Sequence, residues 1–382
     1  MNTRLLTLLL SCYIFLGAAQ DEPVVYGKVK GLLVSKKGSI WLTTQTGNIY
    51  ALDSMNGAWR TLLETNRVDY DITAPDFEGA LMINDELAFA YGYVSRDFYN
   101  EANCMIFKTS DGGKGWYYVP FTEKDCWVRD VQLLLNQDVF MGGSDGNLYF
   151  SASHGNDWEK IPVKFKRQRQ AYDRDPEVYA LHFLDKDTGL VTNRDNLLAY
   201  STDHFKTFTL IPTPLDQGLF SAQYKPYYLN GSGRKYISNW KIDEVGIFKD
   251  WFIVQQKDKV YYTRRDNISW KEFPGYAIDF EFSESGQLFL YAPDGVILQA
   301  NDELELAIFN TLEGEEYDLD FKATDEAIYV LVPEFADRKP KDVVRDTAGE
   351  LTVVEKNVRK VSGYVVYRIT ENGIESNLIR SN

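Results

Sequence analysis

Basic charge is what this sequence lacks first: 41 Lys and Arg stand against 56 Asp and Glu, a formal net charge of −15. A general nucleic-acid binder needs a basic face that displaces counterions, so nucleic acid is not an expected partner. Histidine and cysteine are scarce, at three each. His154, His182 and His204 are scattered and share no ligand spacing with the cysteines. No metal site and no cofactor is therefore expected. No long run carries helical periodicity, and no stretch beyond residue 20 approaches the roughly 18 apolar residues of a membrane span. The P-loop, dinucleotide, HExxH, GxSxG and EF-hand patterns are absent, which leaves nucleotide, zinc-protease and calcium-loop readings without support.

Residues 1–19 read as a signal peptide. Arg4 supplies the positive start, Leu5 to Leu16 is mostly apolar, and Gly17-Ala18-Ala19 offers small residues for cleavage. A secreted or periplasmic mature chain follows. Leu9-Leu10-Ser11-Cys12 resembles a lipobox, but the apolar run continues to Leu16, so anchoring through Cys12 is the minor alternative. Cys104 and Cys126 then remain as a pair. An oxidising compartment favours a disulfide between them, closing a loop of about 22 residues for roughly 3 kcal/mol; two buried thiols are the other reading.

Strand and turn formers are plentiful: 25 Tyr, 22 Phe, 8 Trp and 27 Gly. They define an all-β chain. The most informative stretch is Thr109-Ser110-Asp111-Gly112-Gly113-Lys114-Gly115-Trp116. It reads as a hairpin loop in which Thr109 and Asp111 offer oxygens to the loop's own N–H groups, Gly113 takes φ > 0, and Trp116 packs back under the turn. It resembles the Asp-box (BNR) repeat, S/T-x-D-x-G-x-T-W, of sialidases and other β-propellers, with Gly115 departing from the usual Thr or Ser.

Weaker copies recur along the chain. Ser151, Gly155 and Trp158 hold their places while Ser153 replaces the Asp; Ser201, Asp203 and Thr207 match, with Phe208 in the Trp position; Arg265 replaces the Asp in Thr263 to Trp270. Aligned on these hairpins, residues 20–382 form one β-propeller with units near 24–64, 76–121, 126–163, 178–213, 237–275, 276–310 and 317–380. Seven blades of four antiparallel strands is the favoured count, with six or eight left open. Val24 to Lys30 serves either as the innermost strand of blade one or as an outer strand completing the last blade. Ala336 to Lys360, polar and charged, is expected as a mobile loop or exposed hairpin.

The fourth unit, a strand, an acidic turn ending at Gly189, a strand and the hairpin, is similar to YCF48-type members of the Asp-box group. That resemblance implies that Thr109, Asp111, Gly113, Trp116, Ser151, Trp158, Ser201, Asp203 and Phe208 are structural. It also implies that function sits on the opposite loops, those between blades and those between second and third strands. The expected function is an exported, non-catalytic propeller, a monomer, that binds a partner protein or glycan in the manner of an assembly factor. Basic and aromatic residues of those loops are the binding candidates: Arg167, Arg169, Tyr172 and Arg174 in one, Tyr227 and Arg234 in another, with Trp127 and Arg129 beside them. The alternative is a glycan-active hydrolase of sialidase-like architecture. That family's Arg-Ile-Pro motif is absent, and no catalytic residue is assigned.

Overall fold

Seven separate four-stranded antiparallel sheets make up a computed structural model of the chain. The structure describes residues 23–25, 28–35, 37–64, 76–95, 102–119, 128–163, 165, 177–193, 196–214, 242–256, 259–273, 277, 279–292, 295–312, 320–338, 341–345, 351–355, 358–370 and 372–381. Blade one is β1 to β4 (Val29–Val34, Ile40–Thr44, Ile49–Leu52, Trp59–Leu63) and blade two β5 to β8 (Asp76–Met82, Ala88–Ser95, Ala102–Thr109, Tyr117–Val119). Blade three is β9 to β12 (Val128–Leu133, Val139–Gly143, Asn147–Ser151, Glu159–Pro162) and blade four β13 to β16 (Val178–Phe183, Gly189–Asn193, Leu198–Ser201, Thr209–Ile211). Blade five is β17 to β20 (Glu244–Phe248, Trp251–Gln256, Lys259–Arg264, Lys271–Glu272) and blade six β21 to β24 (Asp279–Phe282, Leu288–Tyr291, Val296–Ala300, Leu306–Thr311). In the seventh, β25 (Asp320–Ala323), β26 (Ile328–Arg338), β29 (Val358–Thr370) and β30 (Gly373–Arg380) form the blade, and β27 (Lys341–Arg345) and β28 (Leu351–Glu355) form a separate hairpin.

Strand composition follows position within each blade. The second strands are flanked by strands on both edges and by blades on both faces, so β2 (Ile-Trp-Leu-Thr-Thr), β10 and β14 are buried throughout. Outer strands meet solvent, and in β12 only Ile161 of four residues is buried. One apolar cluster fills each seam between successive blades, including the seam between blades seven and one, where Leu32, Leu42 and Trp59 meet Tyr329, Val366 and Ile379. Among the described residues every one of these clusters spans two blades, so the ring is the cooperative unit.

Closure uses both alternatives for the first residues, divided between them. Val29–Val34 is the innermost strand of blade one and packs against β5 and β25. Val25, four residues earlier, makes a parallel bridge to Ser381 beside the outermost strand of blade seven, its N–H donating to the Arg380 carbonyl at 2.7 Å. The expected excursion at Ala336 to Lys360 is a hairpin: β26 and β29 stay paired out to Arg338 and Val358, and β27 pairs with β28 beyond them. Cys104 lies in β7, but its side chain and all of Cys126 fall outside the described residues, as do residues 1–22.

The hairpins between third and fourth strands of blades two, three and four share one local geometry. In blade two the Thr109 hydroxyl accepts from Gly113 N at 2.9 Å and donates to Asp111 Oδ1 at 2.8 Å, while Asp111 Oδ1 accepts from Gly115 N at 2.9 Å. In blade four Ser201 Oγ accepts from Phe205 N at 3.1 Å and Asp203 Oδ1 from Thr207 N at 2.9 Å. Blade three substitutes Ser153, whose Oγ accepts from Asp157 N at 2.8 Å, while Ser151 Oγ takes Gly155 N at 2.8 Å. These bonds satisfy loop N–H groups that strands cannot reach. Blade five lacks such an acceptor at Arg265, and Thr263 Oγ1 takes Ser269 N at 2.7 Å instead. Three of these turns also meet the first turn of their own blade: Gly112 N donates to Glu86 O, His204 N to Asp187 O and Arg265 N to Asp250 O. First-to-second and third-to-fourth turns therefore share one face of the ring, and all are short. The strand ends that lead into the connections between blades, among them Leu63 and Asp76, Val119 and Val128, Pro162 and Val178, and Ile211 and Glu244, lie on the opposite face.

Candidate functional site

Seven innermost strands surround the channel, and they run from the face of the long connections toward the face of the short turns. Their first residues set the chemistry of the first mouth. A cavity of about 360 Å³ opens there among Arg129, Asp130, Tyr179, Asp243, Glu244 and Asp279, drawn from the starts of β9, β13, β17 and β21. Arg129 is held by Glu177 at 3.0 Å, with side chains only 17% and 10% exposed. Asp130 crosses to the next blade: its Oδ2 accepts from Leu181 N at 2.9 Å and its Oδ1 from Val131 N at 2.8 Å. One step deeper, Gln132 repeats the bridge, accepting from Phe183 N at 2.5 Å and donating to Phe183 O at 3.0 Å. Between blades six and seven, Lys322 donates to Glu281 at 2.9 Å. Side chains thus join innermost strands that share no backbone ladder.

Electrostatics at this mouth are unusual for exposed turns but natural for a narrow channel. Burial pushes the Asp130 carboxyl up, against the opposing pull of the Leu181 and Val131 N–H groups. Glu244 rises well above the ordinary carboxylate range, first through burial and then through repulsion from Asp279 and Glu281, with Lys322 pulling the other way. The strand walls limit the water that reaches these half-buried groups while the ring brings several carboxylates together, and both effects penalise the charged form. A protonated carboxyl can donate a hydrogen bond, and an ionised one can receive a cationic side chain. Among the described residues, no group of three or more His, Cys, Asp or Glu is placed to hold a metal ion.

The other mouth is apolar. A cavity of about 430 Å³ lies among Leu133, Leu134, Phe248 and Phe282, with Leu135 (80% exposed) and Leu184 (46%) at its rim. His182 meets Phe282 edge-on at 4.6 Å, and burial pushes its pKa down to about 4, so it is neutral at pH 7.

Of the binding candidates named from sequence, Arg129 lies at the acidic mouth. Arg167, Arg169, Tyr172, Arg174, Trp127, Tyr227 and Arg234 lie outside the described residues, although Val128, the neighbour of Trp127, opens β9 at that mouth. Sequence reasoning missed Glu244, Asp279, Glu281 and Lys322. Their signal was charge at or near the head of a blade's first strand, alternating with apolar residues in β21 and β25.

The turn residues sit on the opposite face, at the seams. Asp111 and Asp203 are held below the usual carboxylate range, Asp111 chiefly by Gly115 N–H and Asp203 chiefly by the Thr207 hydroxyl. Trp116 packs edge-on against Trp41 of blade one at 6.1 Å, Trp158 joins the cluster between blades two and three, and Phe208 stands 5.8 Å from Phe165.

No protein-family model matches the sequence, and no curated protein matches it. Among solved structures, the chain is similar to YCF48 from Cyanidioschyzon merolae, at 12% identity over 81% of this chain and 94% of that one, with a TM-score of 0.52. It is similar to a chain of the Mitotic Checkpoint Complex at 9% identity over 81% and 89%, TM-score 0.50. It also matches YCF48 bound to D1 peptide at 10% identity over 84% and 98%, TM-score 0.42. At such identities the likeness is one of fold. The class that fold and ring define is the seven-bladed β-propeller.

Proposed function

We propose that this chain is an exported, non-catalytic propeller of the Asp-box, YCF48-like kind that holds a partner protein on the face of the long interblade connections. The observation that carries the reading is the contrast between the two faces. One face is closed by short turns whose N–H groups are bonded internally, whereas the other, where the strand ends leading to the long connections lie, opens on a charged cavity. Loops on a rigid ring suit recognition, because the scaffold bears the folding energy and leaves the loops free to vary. The hairpin bonds of Thr109, Asp111, Ser201 and Asp203 support the Asp-box assignment, and the character of residues 1–19 supports export.

The test is a triple reversal, Arg167→Glu, Arg169→Glu and Arg174→Glu, followed by cross-linking and pull-down from the native envelope extract. Loss of the captured protein, with an unchanged melting temperature, is the expected result. Unchanged capture refutes the basic loop as the contact. A glycan array on the same two proteins separates a sugar ligand from a protein one.

One observation favours a second reading, a glycan hydrolase: Arg129, Tyr179 and the raised Glu244 line a single cavity, and a carboxyl kept protonated is what a general acid requires. Turnover of a fluorogenic sialoside or another glycoside by the purified protein, abolished in Glu244→Gln, would establish that reading over the first.

A further inference from the structure

The third-to-fourth turns do more than end hairpins, because each seats on the preceding blade. An ideal Cβ on Gly113 would stand 2.7 Å from Leu62 of blade one, and one on Gly155 would stand 2.7 Å from Phe89 of blade two. Lys108 of blade two donates to His154 O at 2.8 Å and to Asn156 Oδ1 at 2.6 Å in the turn of blade three. The His204 ring stands edge-on to Phe150 of blade three at 5.0 Å, and Arg265 donates to Tyr200 of blade four at 3.1 Å. In the blade-six turn Leu304 enters the cluster shared with Phe248 of blade five. Trp59 of blade one donates to Asn377 of blade seven at 2.8 Å, and Asn377 donates to Met55 O in the blade-one turn at 2.8 Å.

Blade seven breaks the rule. Its turn has only residues 371 and 372 between Thr370 and Gly373, and Asn310 reaches Thr370 O at 3.4 Å from blade six. The seam that a longer turn would close is instead a cavity of about 840 Å³ lined by Phe289, Gln299, Phe309, Glu326, Arg368 and Glu375. Its floor repeats the closed seam between blades two and three. Phe289 follows Leu288 in the second strand of blade six as Phe89 follows Ala88 in that of blade two. Phe289 pairs across the ladder with Gln299 where Phe89 pairs with Lys108. The aromatic seat and the donor that hold a turn elsewhere are both present, and the turn is not. The volume lies within the range of ligand sites.

We propose that the groove between blades six and seven binds a β-turn of a partner polypeptide, one with glycine at its tip and a lysine or arginine beside it. Glycine lets backbone lie on Phe289 as Gly155 lies on Phe89, and its carbonyl can take the Gln299 amide in place of the Lys108 ammonium. The charge preference comes from Asp325, Glu326 and Glu375, which outnumber Arg368, itself engaged by Glu375 at 3.1 Å. This groove lies on the short-turn face, shares no lining residue with the acidic mouth, and borders the other mouth at Ser283 and Ser285.

The probe is a labelled cyclic peptide carrying Lys108–Trp116 of this chain, titrated by fluorescence anisotropy against the full protein. Saturable binding with Kd in the range of roughly 10–100 μM is expected. Reversal of the two peptide lysines to glutamate is expected to weaken binding at least tenfold. A variant with residues 371–372 replaced by the six residues 110–115 fills the groove with a tethered turn and is expected to lose binding while melting no lower than wild type. Should that graft not fold, the surface pair Glu326→Lys and Glu375→Lys is the second variant, also expected to weaken binding at least tenfold. Absence of saturation up to about 1 mM peptide, or equal affinity for the folded graft or the lysine pair, overturns the proposal.

Discussion

If the seams are built by turns seated on the preceding blade, an added methyl at Gly113 should disturb two blades, and the same methyl at Gly286 should disturb none. Both glycines have left-handed backbone, φ +83° and +81°, so Gly113→Ala and Gly286→Ala share the conformational penalty of about 1–2 kcal/mol for an L-residue. Both also gain something through a less flexible unfolded chain, about 0.4–1 kcal/mol. They differ in what the new Cβ meets: Leu62 Cδ1 at 2.7 Å for Gly113, and nothing within 4 Å for Gly286. Overpacking costs about 1–3 kcal/mol in cores, and the end of a half-buried leucine can yield, so the lower half of that range applies. The expected excess for Gly113→Ala is therefore about 1–2 kcal/mol. Urea unfolding followed by tryptophan fluorescence measures it, with Trp41 and Trp116 reporting from that seam at 6.1 Å separation. Equal destabilisation by the two substitutions would refute the packing of the turn on blade one.

Glu244→Gln should stabilise the protein. The folded-state pKa of Glu244 is raised, so the stability linked to its protonation is complete below the ordinary value of 4.5 and is lost as pH rises through the folded value. Melting temperatures of wild type and variant should coincide near pH 4 and separate in favour of Gln as pH rises. A variant that melts lower than wild type at pH 8 counts against the buried-carboxylate account. Asp203→Asn should act with the opposite sign of pH dependence. Asp203 is lowered from 3.8, so its contribution is present above that value and fades as pH falls through the folded one. The variant's deficit in melting temperature should shrink toward pH 2–3, and a deficit independent of pH would assign the effect to shape.

The turns were legible because their chemistry is local. Thr109, Asp111, Gly113 and Gly115 lie within six residues of one another, and the bonds they make span two to four positions, so spacing in sequence is spacing in space. The motif, repeated, marked blades two to five, while strand order carried the count of seven, with six or eight left open. The channel mouth was not legible: Asp130, Glu244 and Asp279 are far apart in the chain, and each is only an acid near the head of a first strand until the ring closes. Arg129 was named as a candidate, yet its partner Glu177 belongs to the next blade, which no local pattern reveals.

By itself the sequence determined the all-β class, the hairpin turns and the repeat, since these depend on strand propensity, on glycine at positive φ and on oxygens a few residues from the N–H groups they satisfy. Tertiary structure alone decided where Val25 and Val29 go, which carboxylates are driven from their ordinary pKa, and which seam stays open. The first and last depend on what blade seven brings against blades one and six, and the raised carboxylates on how the first strands of blades three, five and six meet. Burial, repulsion and fit are properties of pairs of surfaces, and the pairs exist only once the ring has closed.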